Sequence, residues 1–363
     1  MATMKVLFIG DLNQDLPEYQ QFSQRHQCIH YEITTKEKLL HDFAHDLKDI
    51  DAIYGAWLGF VPVGGCRGEL IEAAPKLLKV ILICLVGYDG YDGQALAEKG
   101  VVLTNVPSIG AAEPVADLVT YNTINAFRQF STFSSHLGAN TNHTVFLRKW
   151  LDQLNQFDSV RGQPRVNDVN KYAFGEMVNN RPVLSPRGHD VVIVGFGNIG
   201  RTIGSRLAHL GMNIHYVKRT PLTADEHQQL GYEAVYHSLL LLASFADLVV
   251  IAAPLTPETK HLINRDLIAM MDKPFRLINI GRGPIVDEDA LVEGLKQGKV
   301  LYAGLDVFEH EPVVTPELFG RSDVVLTPHI GALTTENFDF TAKRALANLE
   351  LVLSGESALD RVN

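Results

Sequence analysis

The segment Val192-Ile193-Val194-Gly195-Phe196-Gly197-Asn198-Ile199-Gly200 constrains this chain more than any other stretch. An apolar run stops on a glycine, and two further glycines follow at G-x-G-x-x-G spacing. The apolar positions Ile203, Leu207 and Leu210 then recur at helical spacing. The glycine spacing alone is common, but between a strand and a helix it has a physical meaning. Gly195 permits a tight turn, Gly197 lets a pyrophosphate approach the backbone, and Gly200 lets helix and strand pack closely. Asn198 and Ile199 open the helix, whose free N–H groups and partial positive charge suit an anion. The unit reads as a dinucleotide-binding βαβ turn, which demands a parallel sheet covered by helices. The corresponding turn near the N-terminus, Ile9-Gly10-Asp11, lacks the pattern, so only the later unit is expected to bind a dinucleotide.

Short apolar runs alternate with helical stretches twice along the chain. Residues 5–10, 51–57, 80–86 and 101–105 read as strands, with 35–47, 68–73 and 92–98 helical between them. A long helix is expected at 111–128. Residues 131–187 are polar and rich in asparagine and glutamine, and read as an insertion with one helix near Trp150. From Asp190 the alternation restarts, with strands at 191–195, 213–218, 234–236, 248–252, 277–280, 301–306 and 323–326. Asp287 is placed to cap a helix carrying Ala290, Leu291 and Leu295, and 334–353 reads as a closing helix. The expected fold class is α/β: two doubly wound parallel-sheet domains. A Rossmann cofactor domain (112–326) is expected inside a flavodoxin-like substrate-binding domain (1–111 and 327–363).

Composition excludes several function classes. Against 32 basic residues stand 42 acidic ones, a net charge of −10, and no basic block occurs. A phosphate backbone would find no complementary surface, so nucleic acid is not an expected partner. The longest apolar runs, 80–86 and 239–245, fall far short of the roughly 18 residues that span a membrane. The N-terminus shows no charged-then-apolar leader. Cys28, Cys66 and Cys84 have neither metal-ligand spacing nor a disulfide pattern. These features together predict a soluble, reduced, cytoplasmic protein without a metal.

Eighteen residues past Gly200, where NAD-binding folds place an acid for the ribose 2′-hydroxyl, stand Lys218, Arg219 and Thr220. A carboxylate would repel a 2′-phosphate, whereas Arg219 can hold one through two parallel charge-assisted bonds. NADPH is therefore the expected cofactor, with NADH possible. Three later segments each carry one reactive type: Arg282 in Asn279-Ile280-Gly281-Arg282-Gly283-Pro284, acids in 304–312, and His329 in Thr327-Pro328-His329-Ile330-Gly331. Reduction of a 2-oxo acid needs these same types. Arginine binds the carboxylate, histidine supplies a proton, and a carboxylate beside the histidine keeps it cationic. Within the acidic segment Glu309 reads as a surface acid and His310 as a solvated loop residue.

With these four segments in order and at this spacing, the chain resembles the D-isomer-specific 2-hydroxyacid dehydrogenases. That family includes glyoxylate/hydroxypyruvate reductases and fungal D-mandelate dehydrogenases. The resemblance implies that Arg282, Glu311 and His329 are catalytic and that Asp306 contacts the nicotinamide amide. It implies further cofactor contacts at Pro254, Thr259, Ile280, Gly281 and Gly331, besides Arg282 and His329. Leu85-Val86-Gly87 resembles the family's substrate loop, whose amides bind the carboxylate beside Arg282 and His329. A homodimer is implied too. Ala252 departs from the histidine many members carry there, and 131–187 is long, as in the fungal members.

Trp57, Leu58, Phe60 and Leu85 are expected to line an apolar pocket, which makes bulky or aromatic 2-oxo acids the expected substrates and D-2-hydroxy acids the products. Glyoxylate or hydroxypyruvate is the alternative. A dinucleotide-sensing, corepressor-like binding protein is the alternative of another class.

Overall fold

The computed structural model describes residues 3–139, 141–152, 157–164, 173–178, 181–237 and 245–363. The chain divides into two units, Met1–Gly110 with Leu333–Asn363, and Ala111–Ala332. In the first, β1 (Lys5–Ile9), β2 (Gln27–Tyr31), β3 (Ala52–Gly55), β4 (Val80–Ile83) and β5 (Val102–Thr104) form one parallel sheet in the order β2-β1-β3-β4-β5. This is the flavodoxin-like order. Alternate strand residues feed the two faces. Leu7, Ile9, Ile53, Ile81 and Ile83 pack on one side, Val6, Phe8, Tyr54, Val80 and Leu82 on the other. The closing helix Thr335–Ser354 completes the second layer with Ala342, Ala345, Leu346 and Leu349.

The strand β2 and the helix Pro17–Arg25 before it are additions to the sequence expectation. β2 is an edge strand with no fully buried residue, and the helix buries only Tyr19 and Phe22. Neither supplies enough apolar periodicity to stand out.

The second unit holds β6 (Phe157–Asp158) paired with β7 (Gln163–Pro164), and β8 (Met177–Val178) paired with β9 (Arg181–Pro182), both antiparallel. Its main sheet is built from β10 (Asp190–Val194), β11 (Asn213–Val217), β12 (Val235–Tyr236), β13 (Leu248–Ile251), β14 (Phe275–Asn279), β15 (Val300–Leu305) and β16 (Val324–Leu326). All pair in parallel, in the order β12-β11-β10-β13-β14-β15-β16. The first six strands follow the Rossmann order, and β16 extends it at one edge. β10 again splits by period two, Val192 and Val194 to one core layer and Val191 and Ile193 to the other.

The 131–187 stretch holds more structure than its composition suggests. Besides the helix Thr144–Leu151 it contains most of the helix Phe130–His136 and the two short hairpins. Arg321 ties one hairpin down. Its guanidinium is paired with Asp323 through Nε–Oδ1 at 2.9 Å and Nη2–Oδ2 at 3.0 Å, and it donates to the carbonyls of Ser159 and Val160. Long-range polar contacts of this kind leave no periodic trace in the sequence.

Candidate active site of the second unit

The glycine-rich segment forms the turn its spacing predicts. Gly195 has a φ of +93°, and a Cβ there would stand 2.6 Å from the Ala252 carbonyl oxygen. A Cβ on Gly200 would collide with the Gly195 carbonyl, whereas one on Gly197 would meet only open space. The backbone is thus exposed at Gly197 and closely packed at the flanking glycines, which is the cradle a pyrophosphate requires. Gly197 is also the N-cap of the helix Asn198–His209 and supplies no side chain to cap it. These residues fit a nicotinamide dinucleotide.

The segments that follow β14, β15 and β16 place the reactive side chains. Asn279 ends β14 and closes the following turn on itself, donating to the Arg282 carbonyl at 3.0 Å and accepting the Gly281 amide at 3.1 Å. Arg282 follows, partly buried, with Nη1 donating to the Gly281 carbonyl at 2.8 Å. After β15 the chain reaches Glu311. One of its oxygens accepts the Phe308 amide at 3.1 Å, and the other lies 3.3 Å from His329 Nδ1. The hydrogen bond to Glu311 raises the His329 pKa against the lowering effect of burial. Burial pushes the Glu311 carboxyl up, but its hydrogen bond and charge interaction with His329 prevail and hold it low. The Arg282 charge acts on both groups, so all three residues share one electrostatic neighbourhood.

His329 has a φ of +55°, a left-handed backbone for a residue with a Cβ. Such geometry costs on the order of 1–3 kcal/mol and needs surrounding restraint. Asp306, 3% exposed at the end of β15, provides it. Its carboxylate accepts Thr327 Oγ1 at 2.7 Å, the Ile330 amide at 2.9 Å and the Gly331 amide at 2.8 Å. The turn carrying His329 is thereby fastened to the second unit, and the returning segment of the first begins at Leu333.

The sequence profile of the D-isomer specific 2-hydroxyacid dehydrogenase, NAD binding domain, matches residues 161–331. The chain is 34% identical to hydroxyphenylpyruvate reductase of Plectranthus scutellarioides, over 82% of each chain. The chain belongs to the D-isomer-specific 2-hydroxyacid dehydrogenases. Among solved structures it is similar to Rhodotorula graminis D-mandelate dehydrogenase, with a TM-score of 0.85, 29% identity, and coverage of 100% of this chain and 98% of that one. It is also similar to the NADPH-dependent glyoxylate/hydroxypyruvate reductase of Sinorhizobium meliloti, with a TM-score of 0.73, 26% identity, and coverage of 99% and 97%. The sequence resemblance is borne out, and this dehydrogenase is an NAD(P)-dependent oxidoreductase.

Other expected site residues of this dehydrogenase divide by what holds them. Thr259 Oγ1 donates to the Pro254 carbonyl at 2.8 Å, closing the turn after β13. Arg219 and Thr220 are exposed after β11, and Lys218 is partly exposed. Ile280 is partly buried and Gly281 packs on Ala253. In the first unit, the Leu85 and Val86 carbonyls accept the Val106 amide and Asn105 Nδ2. The amides of Val86 and Gly87 have no acceptor among the described residues. One pocket expectation is corrected: Phe60 is 0% exposed and belongs to a core layer, against which the partly exposed Leu85 packs. Trp57 and Leu58 do line a cavity of about 430 Å³ in that unit.

Glu309 is not the surface acid expected. Oε1 pairs with His261 Nε2 at 2.6 Å, and Oε2 accepts the Glu288 amide at 3.0 Å, the first turn of the helix Glu288–Lys296. Its partner His261 lies 48 positions away, which no local pattern could reveal. No group of three or more metal-ligating side chains occurs among the described residues. Nor is any described helix long and apolar enough to cross a membrane.

Proposed function

We propose that the protein reduces bulky or aromatic 2-oxo acids to D-2-hydroxy acids with NADPH. The observation that carries this reading is that His329 meets Glu311 at hydrogen-bond distance while the Arg282 charge acts on both: a carboxylate binder beside a histidine whose pKa an acid raises. Gly195, Gly197, Asn198, Ile199 and Gly200 cradle the pyrophosphate, with Pro254, Thr259, Ile280, Gly281, Asp306 and Gly331 around the remainder. Arg219, flanked by Lys218 and Thr220, takes the 2′-phosphate. Arg219 is exposed, and its charge helps to hold the Glu258 carboxyl low, so the guanidinium already acts on an anionic group.

When bound, the reduced dinucleotide supplies the hydride that C2 of the substrate receives. Arg282 binds the substrate carboxylate and orients the carbonyl. His329 Nδ1–H points to Glu311, which leaves Nε2–H to protonate the carbonyl oxygen as it becomes an alkoxide. The imidazole ends neutral, with Glu311 still ionised beside it.

The substrate class rests on the first unit's cavity. Trp57, Leu58, Leu333 and Phe338 line it beside Gly10 and Asp11, at the ends of β1 and β3 and the start of the closing helix. Apolar walls of this kind suit an aryl or branched side chain better than the small groups of glyoxylate or hydroxypyruvate. The names of the Plectranthus and Rhodotorula relatives, both referring to aryl-substituted acids, agree. NADPH and NADH oxidation against a panel from glyoxylate to phenylpyruvate and phenylglyoxylate tests the reading. Faster turnover of the larger acids with NADPH is expected, and preference for glyoxylate or NADH would overturn the corresponding half. A chain that binds dinucleotide but reduces no acid would be a sensor instead.

A homodimer completes the proposal. Tyr121, Phe130, Leu137 and Phe174 of the second unit are exposed large apolar side chains, which association would cover. Light scattering on the purified protein tests it, and a monomeric mass would refute it.

A further inference from the structure

Tyr216, in β11, belongs to none of the motifs that mark the site, yet it joins two of them. Its ring is fully buried and stacks on Phe196 of the glycine-rich segment, with centroids 4.4 Å apart and planes 17° from parallel. Phe196 is itself 1% exposed. A buried phenol needs partners for its hydroxyl, and a core position could supply any nearby carbonyl. Here the oxygen accepts the Leu222 amide at 3.0 Å and lies 3.2 Å from His227 Nε2. Leu222 follows Pro221 and closes the loop that carries Lys218, Arg219 and Thr220.

Both ends of that loop are therefore pinned to the glycine-rich unit. At its start the Val217 carbonyl accepts the Gly195 amide at 2.9 Å. At its end Leu222 is held by Tyr216. Thr223, one residue on, caps the helix Ala224–Leu230 through a capping box with Glu226. Arg201, in the first turn of the helix Asn198–His209, pairs with that same Glu226 at 2.5 Å. The segment 218–221, exposed from Arg219 to Pro221, thus bridges two fixed points, and the Tyr216 hydroxyl sets one of them. A bidentate guanidinium–phosphate contact is sensitive to small displacements of its backbone.

We propose that Tyr216 is a positioning residue for 2′-phosphate selection, acting through the 218–222 loop and Arg219. This rests on the reading of Arg219 as the 2′-phosphate binder. Hydroxyl removal in Tyr216→Phe keeps the stack on Phe196 and frees Leu222. The nicotinamide and pyrophosphate contacts are untouched, so only phosphate-bearing ligands should feel the change.

Calorimetry on the purified protein with NADPH, NADH, 2′,5′-ADP and 5′-AMP reads this without turnover. Tyr216→Phe should weaken NADPH and 2′,5′-ADP by about tenfold and leave NADH and 5′-AMP within about twofold. In an Arg219→Ala background the same substitution should have no further effect on NADPH, because the contact it positions is gone. Equal weakening of all four ligands, no weakening, or full additivity with Arg219→Ala would overturn the proposal. Should the unmodified protein bind 2′,5′-ADP no better than 5′-AMP, the NADPH reading itself fails and the proposal falls with it. Loss of the buried Leu222 hydrogen bond should lower the melting temperature, so Arg321→Met, destabilised for another reason, is the control: it should keep its NADPH and 2′,5′-ADP affinities, and a parallel selective loss there would overturn the proposal.

Discussion

His329 Nδ1 lies 3.3 Å from Glu311 Oε2, so the turn after β16 and the loop after β15 meet through one ion pair. Both are about half exposed, 51% and 39%, and the pair is therefore reachable by substrate and by solvent. What it contributes is a protonation state rather than stability, since exposed ion pairs add little to folding.

The pH profile follows from the direction of the shift. The His329 pKa is raised above its ordinary 6.5, chiefly by the Glu311 hydrogen bond. Reduction needs the imidazolium, so activity is present at low pH and is lost as pH rises through the raised value. Glu311→Gln removes the charge that raises it, and the descending limb of kcat/KM should move to lower pH. A limb that stays in place would separate Glu311 from proton supply.

Removing the proton donor should cost more than moving its pKa. His329→Ala is expected to lower kcat by roughly 10²- to 10⁴-fold, the usual contribution of a positioned general acid. Calorimetry should find dinucleotide binding little changed, and near-normal turnover would sink the assignment.

Arg282 is expected to act on substrate engagement. Arg282→Ala should lower kcat/KM by roughly 10- to 100-fold, the value of one or two charge-assisted hydrogen bonds, with much of it in KM. Arg282→Lys should recover part of the loss, because it restores charge without the planar fork. Full recovery by lysine would argue against bidentate binding.

Asp306 holds the His329 turn by three hydrogen bonds, two of them to backbone amides. Alanine there strands the Gly331 amide, which is buried, and releases the left-handed His329. A loss of about 1–3 kcal/mol is expected from each unsatisfied buried group. Urea unfolding of Asp306→Ala checks the stability, and kcat of Asp306→Asn checks the positioning. A stable variant with full activity would show that the turn holds itself.

Arg321 and Asp323 are both buried, with side chains 2% and 1% exposed. Arg321→Met leaves the carboxylate to Arg181 alone at 3.5 Å and removes the donors to Ser159 and Val160. Breaking a buried pair from one side costs about 3–5 kcal/mol. Unfolding midpoints should fall accordingly, and limited proteolysis should cut within 157–164 sooner than in the unmodified protein.

Much of the fold was legible along the chain. Apolar strands such as 80–83 and 248–251 are buried on both faces, so they read as unbroken apolar runs. Asp287 caps its helix as expected, accepting the Ala290 amide at 3.0 Å. The strand Gln27–Tyr31 escaped because an edge position does not demand burial of its residues. The hairpins within 157–182 escaped for a related reason, since two-residue strands show no period.

The site divides in the same way. A few consecutive residues at a strand end are enough to set the glycine turn, the loop carrying Arg282 and the turn carrying His329, so these were legible along the chain. The partners of the side chains came from packing. Glu309 with His261, Asp306 with Ile330 and Gly331, and Tyr216 with Phe196 join segments about 20 to 50 positions apart. Such pairs depend on which strands lie side by side and how their following loops turn. A carboxylate or phenol in the sequence carries no mark of the donor it will meet, because the sheet chooses the donor.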